Sequence, residues 1–170
     1  IDFRDVCWTG EEYVVVGGLG SPASIDDRLY CCVSSPDLVS WDYGHWAIQP
    51  SMTISNLDFR AIASNFGDGS DEIVIVSGNP QIGIVHGGPN GNGLTSVHND
   101  LFTGMPSVAL NCVAYGYGQF AVGWEGQGYT HSSGASWSRT WADVSLASYA
   151  SPRPGFSVNA VRGICTAFGN

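Results

Sequence analysis

Lysine is absent, and six arginines are the only fixed cations set against fifteen acidic residues. The formal net charge is −9. That balance excludes a nucleic-acid-binding role, because the phosphate backbone is held by clustered cations. It argues equally against an anionic membrane surface. Long hydrophobic runs are also missing: no stretch approaches the ~18 apolar residues of a membrane-spanning helix. Apolar residues at helical spacing over several turns do not occur, so no helix is predicted. Cysteines are few and odd in number, and the five cannot all pair. They include no CxxC and no Cys/His spacing of the zinc type. Cys31 and Cys32 are adjacent on a predicted strand and point to opposite faces. The cysteines read as buried thiols acting as small hydrophobes; one or two disulfides in an extracellular protein are the alternative. A defensible Ser-His-Asp set, an HExxH pair and a phosphate loop are all lacking. No Asn-x-Ser/Thr glycosylation acceptor occurs. The expectation is no cofactor and no metal.

What is abundant is glycine, 23 of 170 residues against a usual share of about 7%. Without collagen-like periodicity, that excess means many turns and many short strands. Seven Phe, seven Tyr and six Trp suit β-structure. The clearest stretch is 110–141. LNCVAY, QFAVGWE, GYTHSS and SWSRTW read there as four strands, joined by turns at GYG, GQG and GA. Tight hairpin turns need positive φ, which glycine adopts freely. Four strands joined in this way form one antiparallel meander, the plan of a propeller blade.

The rest of the chain repeats that plan. In residues 3–48, FRDVCW, YVVVGG, RLYCCVSS and SWDYGHWAI are the predicted strands, with Gly10 at the first bend. In residues 59–102, they are FRAIAS, EIVIVSG, PQIGIVHGG and LTSVHNDLF. The third unit covers 110–148. GICTAFGN at 163–170 then resembles LNCVAYGY, so 158–170 reads as the first strand of a further unit. Cys7, Ala63, Ala114 and Ala167 take equivalent places, at intervals of 56, 51 and 53 residues. A period of about 50 with four strands per unit is a propeller pattern. The predicted fold is therefore all-β, a β-propeller segment of antiparallel four-stranded blades belonging to a larger ring. Further chain, or other subunits, are expected to complete that ring.

Two of the predicted third-to-fourth strand turns are similar to the pattern S-x-D-x-G-x-T-W. Thr130, Ser132, Gly134, Ser136 and Trp137 occupy it in the third unit, with Ser132 in the Asp place. Ser35, Asp37, Ser40 and Trp41 match a version one residue shorter in the first unit. The hairpin VHGGPNGNGLTSV of the second unit has lost it. The chain thus resembles the BNR/Asp-box β-propellers, the architecture of sialidases and of many non-catalytic relatives. The resemblance implies a structural role for these turns. A short polar side chain takes backbone N–H groups, as in an Asx-turn, and the Trp packs the hairpin onto its blade.

Arg4 in FRDV and Arg60 in FRAI resemble the FRIP arginine of the sialidase members. They hold equivalent positions and could clamp an anion between neighbouring units. The third and fourth units carry Asn111 and Ile164 instead, proline follows neither arginine, and no acid/base partner follows. A local acid such as Asp5 or Asp58 is the expected partner of each arginine. Asp68, Asp71 and Glu72, like Asp26 and Asp27, read as solvated turn carboxylates. His86, His98 and His131 lack ligand spacing. Trp41, Tyr43, Trp46, Trp124, Trp137 and Trp141 read mainly as packing between blades, with sugar stacking or interface anchoring as the alternative.

The expected function is a non-catalytic structural or interaction module of a larger protein or assembly. An extracellular, cell-surface or virion setting would suit it. A carbohydrate-active propeller, whether a sialidase-like glycosidase or a lectin with a glycan partner, is the second expectation.

Overall fold

The computed structural model describes residues 2–19, 32–43, 57–66, 72–79, 84–87, 94–98, 109–116, 118–124, 128–133 and 140–145. For the strands at 84–87, 94–98, 128–133 and 140–145 it describes the backbone and its pairing. Among these residues every regular element is a strand. Every pairing is antiparallel.

β1 (Asp2–Trp8), β2 (Tyr13–Leu19) and β3 (Cys32–Ser35) form the first group. The run Val14, Val15, Val16 pairs with β1 on one edge and with β3 on the other. Such β-branched residues suit a strand buried between neighbours. An isolated bridge, Ser34 to Asp42, extends the group past β3. The rest of the fourth strand expected there lies outside the described residues.

β4 (Leu57–Ser64), β5 (Ile73–Ser77), β6 (Ile84–Gly87) and β7 (Leu94–His98) pair in chain order. β8 (Leu110–Gly116), β9 (Gln119–Trp124), β10 (Gly128–Ser133) and β11 (Thr140–Ser145) do the same in a separate sheet. Each is a four-stranded meander. The first group joins the second at one corner, through Gly18↔Asp58 and Leu19↔Leu57. The last strand corrects the sequence expectation, which placed it at SWSRTW, 136–141. Thr140 pairs with Ser133, so the strand is TWADVS. A two-residue GA turn would have put Ser136 there. The paired segment contains β-branched Thr140 and Val144, which favour an extended strand.

The opening turns of the first two groups share one frame. Thr9 N–H donates to Glu12 O at 2.9 Å, and Glu12 N–H donates to Thr9 Oγ1 at 3.3 Å. Asn65 N–H donates to Glu72 O at 3.1 Å, and Glu72 N–H donates to Asn65 Oδ1 at 2.6 Å. Glu72 is fully buried beside this turn, which corrects the expectation of a solvated carboxylate. The cause is its place at the foot of β5, where four consecutive apolar residues are buried. Gly10 bends the first turn at a φ of 106°, and a Cβ there would sit 2.2 Å from the Phe66 ring. Gly10→Ala is therefore expected to cost at least ~1 kcal/mol, from positive-φ strain and overlap together. Thermal denaturation would read it as a lower Tm; an unchanged Tm would mean that the turn relaxes freely.

Residues directly opposite in an antiparallel pair share a face. Ala61, Ala63, Val74 and Val76 therefore form one face of β4–β5. They pack with Leu110, Val113, Phe120, Val122 and Trp124 of β8–β9 in one buried cluster, with Tyr115 against it. The opposite face of β4–β5, carrying Phe59, Ile62, Ile73 and Ile75, is buried as well. β1 and β2 lie against β4, and their Val14 and Val16 are fully buried. The opening strands β1, β4 and β8 follow one another side by side.

Candidate functional site

The site grows from an irregularity shared by the three opening strands. Pairing skips one residue between Phe3 and Asp5 in β1, between Phe59 and Ala61 in β4, and between Leu110 and Cys112 in β8. The skipped residues are Arg4, Arg60 and Asn111. A bulge re-aims a side chain out of the alternating pattern. Here it brings the two sequence-predicted arginines, and the asparagine that seemed to interrupt them, into one line.

Asp58 is the centre of that line. Arg4 Nη1 donates to Asp58 Oδ1, and Arg60 Nε donates to Asp58 Oδ2 at 3.0 Å. Outward from Arg4, its Nε reaches Asp2 Oδ2 at 3.4 Å. Outward from Arg60, its Nη1 donates to Asn111 Oδ1 at 2.6 Å. Asp2, Arg4, Asp58, Arg60 and Asn111 thus form a ladder across three opening strands. Each oxygen of the Asp58 carboxylate serves a different guanidinium. The Asp58 side chain is 23% exposed, so these pairs are shielded more than ordinary surface pairs. Glycine makes the space: a Cβ on Gly78 would lie 2.0 Å from Arg60 Nε and 2.1 Å from Asp58 Oδ2.

The second acid expected beside the arginines, Asp5, does something else. Its Oδ1 accepts Val6 N–H at 2.9 Å and its Oδ2 accepts Ile62 N–H at 2.9 Å. It lies beyond the bulge, on the face turned to β4, and caps an edge N–H of that strand. The signal for Asp58 was its place two residues before Arg60. Nothing local pointed to Asn111 as a partner.

The turn at 35–41 is built around Asp37. Its Oδ1 accepts Val39 N–H at 2.8 Å, Ser40 N–H at 2.7 Å and Ser35 Oγ–H at 3.0 Å. Leu38 is held at a φ of 61°. The bonds from the Ser40 and Val39 amides pull the Asp37 carboxyl from its ordinary 3.8 down to about 2. Because the folded value is depressed, the carboxylate's contribution is complete above about 3.8 and is lost as pH falls through about 2. The Val39 and Ser40 amide resonances should titrate with a midpoint near 2. A midpoint at the ordinary 3.8 would break this account. Trp41 is 43% exposed, so its ring is only partly covered beside this turn. Thr130 and Ser132 lie on β10, opposite Asp143 and Trp141. Gly134, Ser136 and Trp137 lie outside the described residues, as do Asp26, Asp27, Asp68, Asp71 and Trp46.

Among the described residues no group of His, Cys, Asp and Glu could hold a metal ion. Burial pushes the Cys7 thiol up to about 12, with Asp5 adding to it, and burial also raises Cys112. Neither is an activated nucleophile. Family models, curated proteins and solved structures were all compared with this chain, and none matches it.

Proposed function

We propose that this chain is a non-catalytic structural or interaction module, a β-propeller segment of the BNR/Asp-box type within a larger assembly. The observation that carries the reading is the occupied ladder. A glycosidase of the sialidase type needs guanidiniums aimed at a substrate carboxylate. Here Asp58 takes Arg4 and Arg60 together, and Asn111 takes Arg60 again. The groups that could have bound an anion hold successive opening strands to one another. The repeated bulge, the side-by-side opening strands and the four-stranded meanders support the propeller architecture. The Asp37 turn has the polar frame of an Asp-box, which supports the family.

The test is turnover of a fluorogenic sialoside. None is expected above background from the native protein. Hydrolysis that disappears in Arg60→Ala would overturn the module reading.

A sugar-binding role is the second reading, and one observation favours it. Trp41 and Tyr43 both stand exposed near the tip of one hairpin. Aromatic faces of this kind stack on sugar rings. Glycan-array binding lost in Trp41→Ala would select this reading; an empty array would remove it.

A further inference from the structure

Every residue from Pro36 to Tyr43 is exposed. A turn that faces water is ordinarily built from Gly, Pro, Asn, Asp and Ser. This one carries Leu38 at 52% exposure, Val39 at 81% and Tyr43 at 51%, beside the partly covered Trp41. Leu38 sits at a φ of 61°, in the left-handed region that glycine adopts with least strain. A leucine there costs backbone energy and leaves half of its side chain in water, so the fold gains little from it. Strain of this kind collects where a segment serves a contact. The tip is also fixed in shape. At its base Asp42 and Ser34 exchange two backbone bonds of 2.8 Å, and Asp37 holds the Val39 and Ser40 amides. Strand alternation places Trp41 and Tyr43 on the same side of Asp42. An apolar surface already held in one shape loses little entropy on binding.

Charge selects the partner. Between Cys32 and Tyr43 there are two carboxylates, Asp37 and Asp42, and no basic residue. The whole chain carries −9 and no lysine, and Arg4 and Arg60 are engaged in the ladder. With its value near 2, Asp37 stays ionised at neutral pH. Phosphate-bearing and acidic partners are repelled by this balance, and a cationic partner is drawn in. Exposed Trp and Tyr rings add to the same preference, because a guanidinium or ammonium group is attracted to an aromatic face.

We infer that the tip at 36–43 is a docking site for a basic, partly apolar peptide segment of another protein. The arginines or lysines of that segment lie over Trp41 and Tyr43 and beside the two carboxylates. Its apolar side chains cover Leu38 and Val39. The inference rests on the module reading above and names the class of partner for it.

Fluorescence anisotropy tests this, with a labelled peptide of alternating arginine and leucine and the full chain at about 0.15 M salt. Saturable binding is expected. Trp41→Ala should weaken it more than about tenfold, as loss of an aromatic anchor does. Leu38→Gly relieves the left-handed strain, so it should weaken binding without lowering the Tm. It is also the second variant if Trp41→Ala does not fold. Glu11→Gln removes one exposed charge from another turn and should change nothing. The same peptide with citrulline for arginine, neutral at equal shape, should bind at least about tenfold more weakly. Absence of saturable binding would overturn the inference, as would binding that neither tip variant alters. Equal losses in Glu11→Gln and Trp41→Ala would reduce it to general attraction by an acidic chain. Equal binding of the citrulline peptide would overturn the cationic class of partner. Co-sedimentation with phosphatidylcholine vesicles that Trp41→Ala abolishes, with no peptide binding, would assign the tip to a membrane surface instead. None of these results touches the module reading, which stands or falls on sialoside turnover.

Discussion

Phe120→Ala is expected to lower the unfolding free energy by about 3–5 kcal/mol. Phe120 is fully buried and sits in the cluster shared by β4–β5 and β8–β9. It faces Tyr115 across the strand pair as well. Truncation removes the apolar area of the ring and leaves a cavity between two sheets. Each sheet is stiffened by its own hydrogen bonds, so neither can close readily on the gap. Urea denaturation measures the loss. A total stability of about 5–15 kcal/mol makes such a loss decisive, and Phe120→Ala is expected to be partly unfolded at 37 °C. Phe66→Ala is the control. Its ring is more than half exposed, so it should cost less than about 1 kcal/mol. Equal losses in the two variants would show that the two sheets do not share a core.

Asp58→Ala is expected to cost about 2–4 kcal/mol, more than any ordinary surface ion pair. The reason is that one carboxylate serves two arginines. Its removal leaves Arg4 with Asp2 and Arg60 with Asn111, and sets two cations side by side with no anion between them. Repulsion then adds to the lost hydrogen bonds. Asp58→Asn should recover part of the loss, because an amide oxygen still accepts one bond. A double-mutant cycle of Asp58→Ala with Arg4→Ala, read by urea denaturation, should give a coupling of about 1 kcal/mol or more. Additive losses would mean that Arg4 and Asp58 stabilise the chain independently, and the ladder would then be a surface feature.

Much of the fold class was legible in the chain. Glycines between short β-branched and aromatic runs point to antiparallel strands, because turn chemistry and strand propensity are local. YVVV, EIVIVS and QFAVGW carry their own evidence. The final strand was misplaced because SWSRTW and TWADVS overlap, and local propensity does not choose between registers that differ by four residues. The exposure of Trp41 was not legible for a related reason. The polar frame of the turn at 35–41 is set by the Asp37 bonds, whereas how far the ring is covered depends on what lies beside the turn.

The candidate site was legible only in part. Arg4 and Arg60 stood out by their equivalent places, and Asp58 by its nearness to Arg60. Asn111 looked like the end of the arginine pattern. It continues the same ladder because an amide oxygen can accept from a guanidinium as a carboxylate does. Which acid an arginine chooses depends on how opening strands from distant parts of the chain lie together. Arg4 and Asp58 are 54 residues apart.

The amino-acid sequence by itself determined most of the strands, their antiparallel pairing and the alternation of faces along them. These follow from turn geometry and from a side-chain period of two, both set within a few residues. Only the tertiary structure decided which faces are covered. Phe3 and Val6 occupy the same register as Phe59 and Ile62, and nothing local separates them. Phe59 and Ile62 are buried where β1 and β2 lie against β4, whereas Phe3 and Val6 face solvent. Burial is a property of what stacks on a sheet, and that is settled by contacts far apart in the chain.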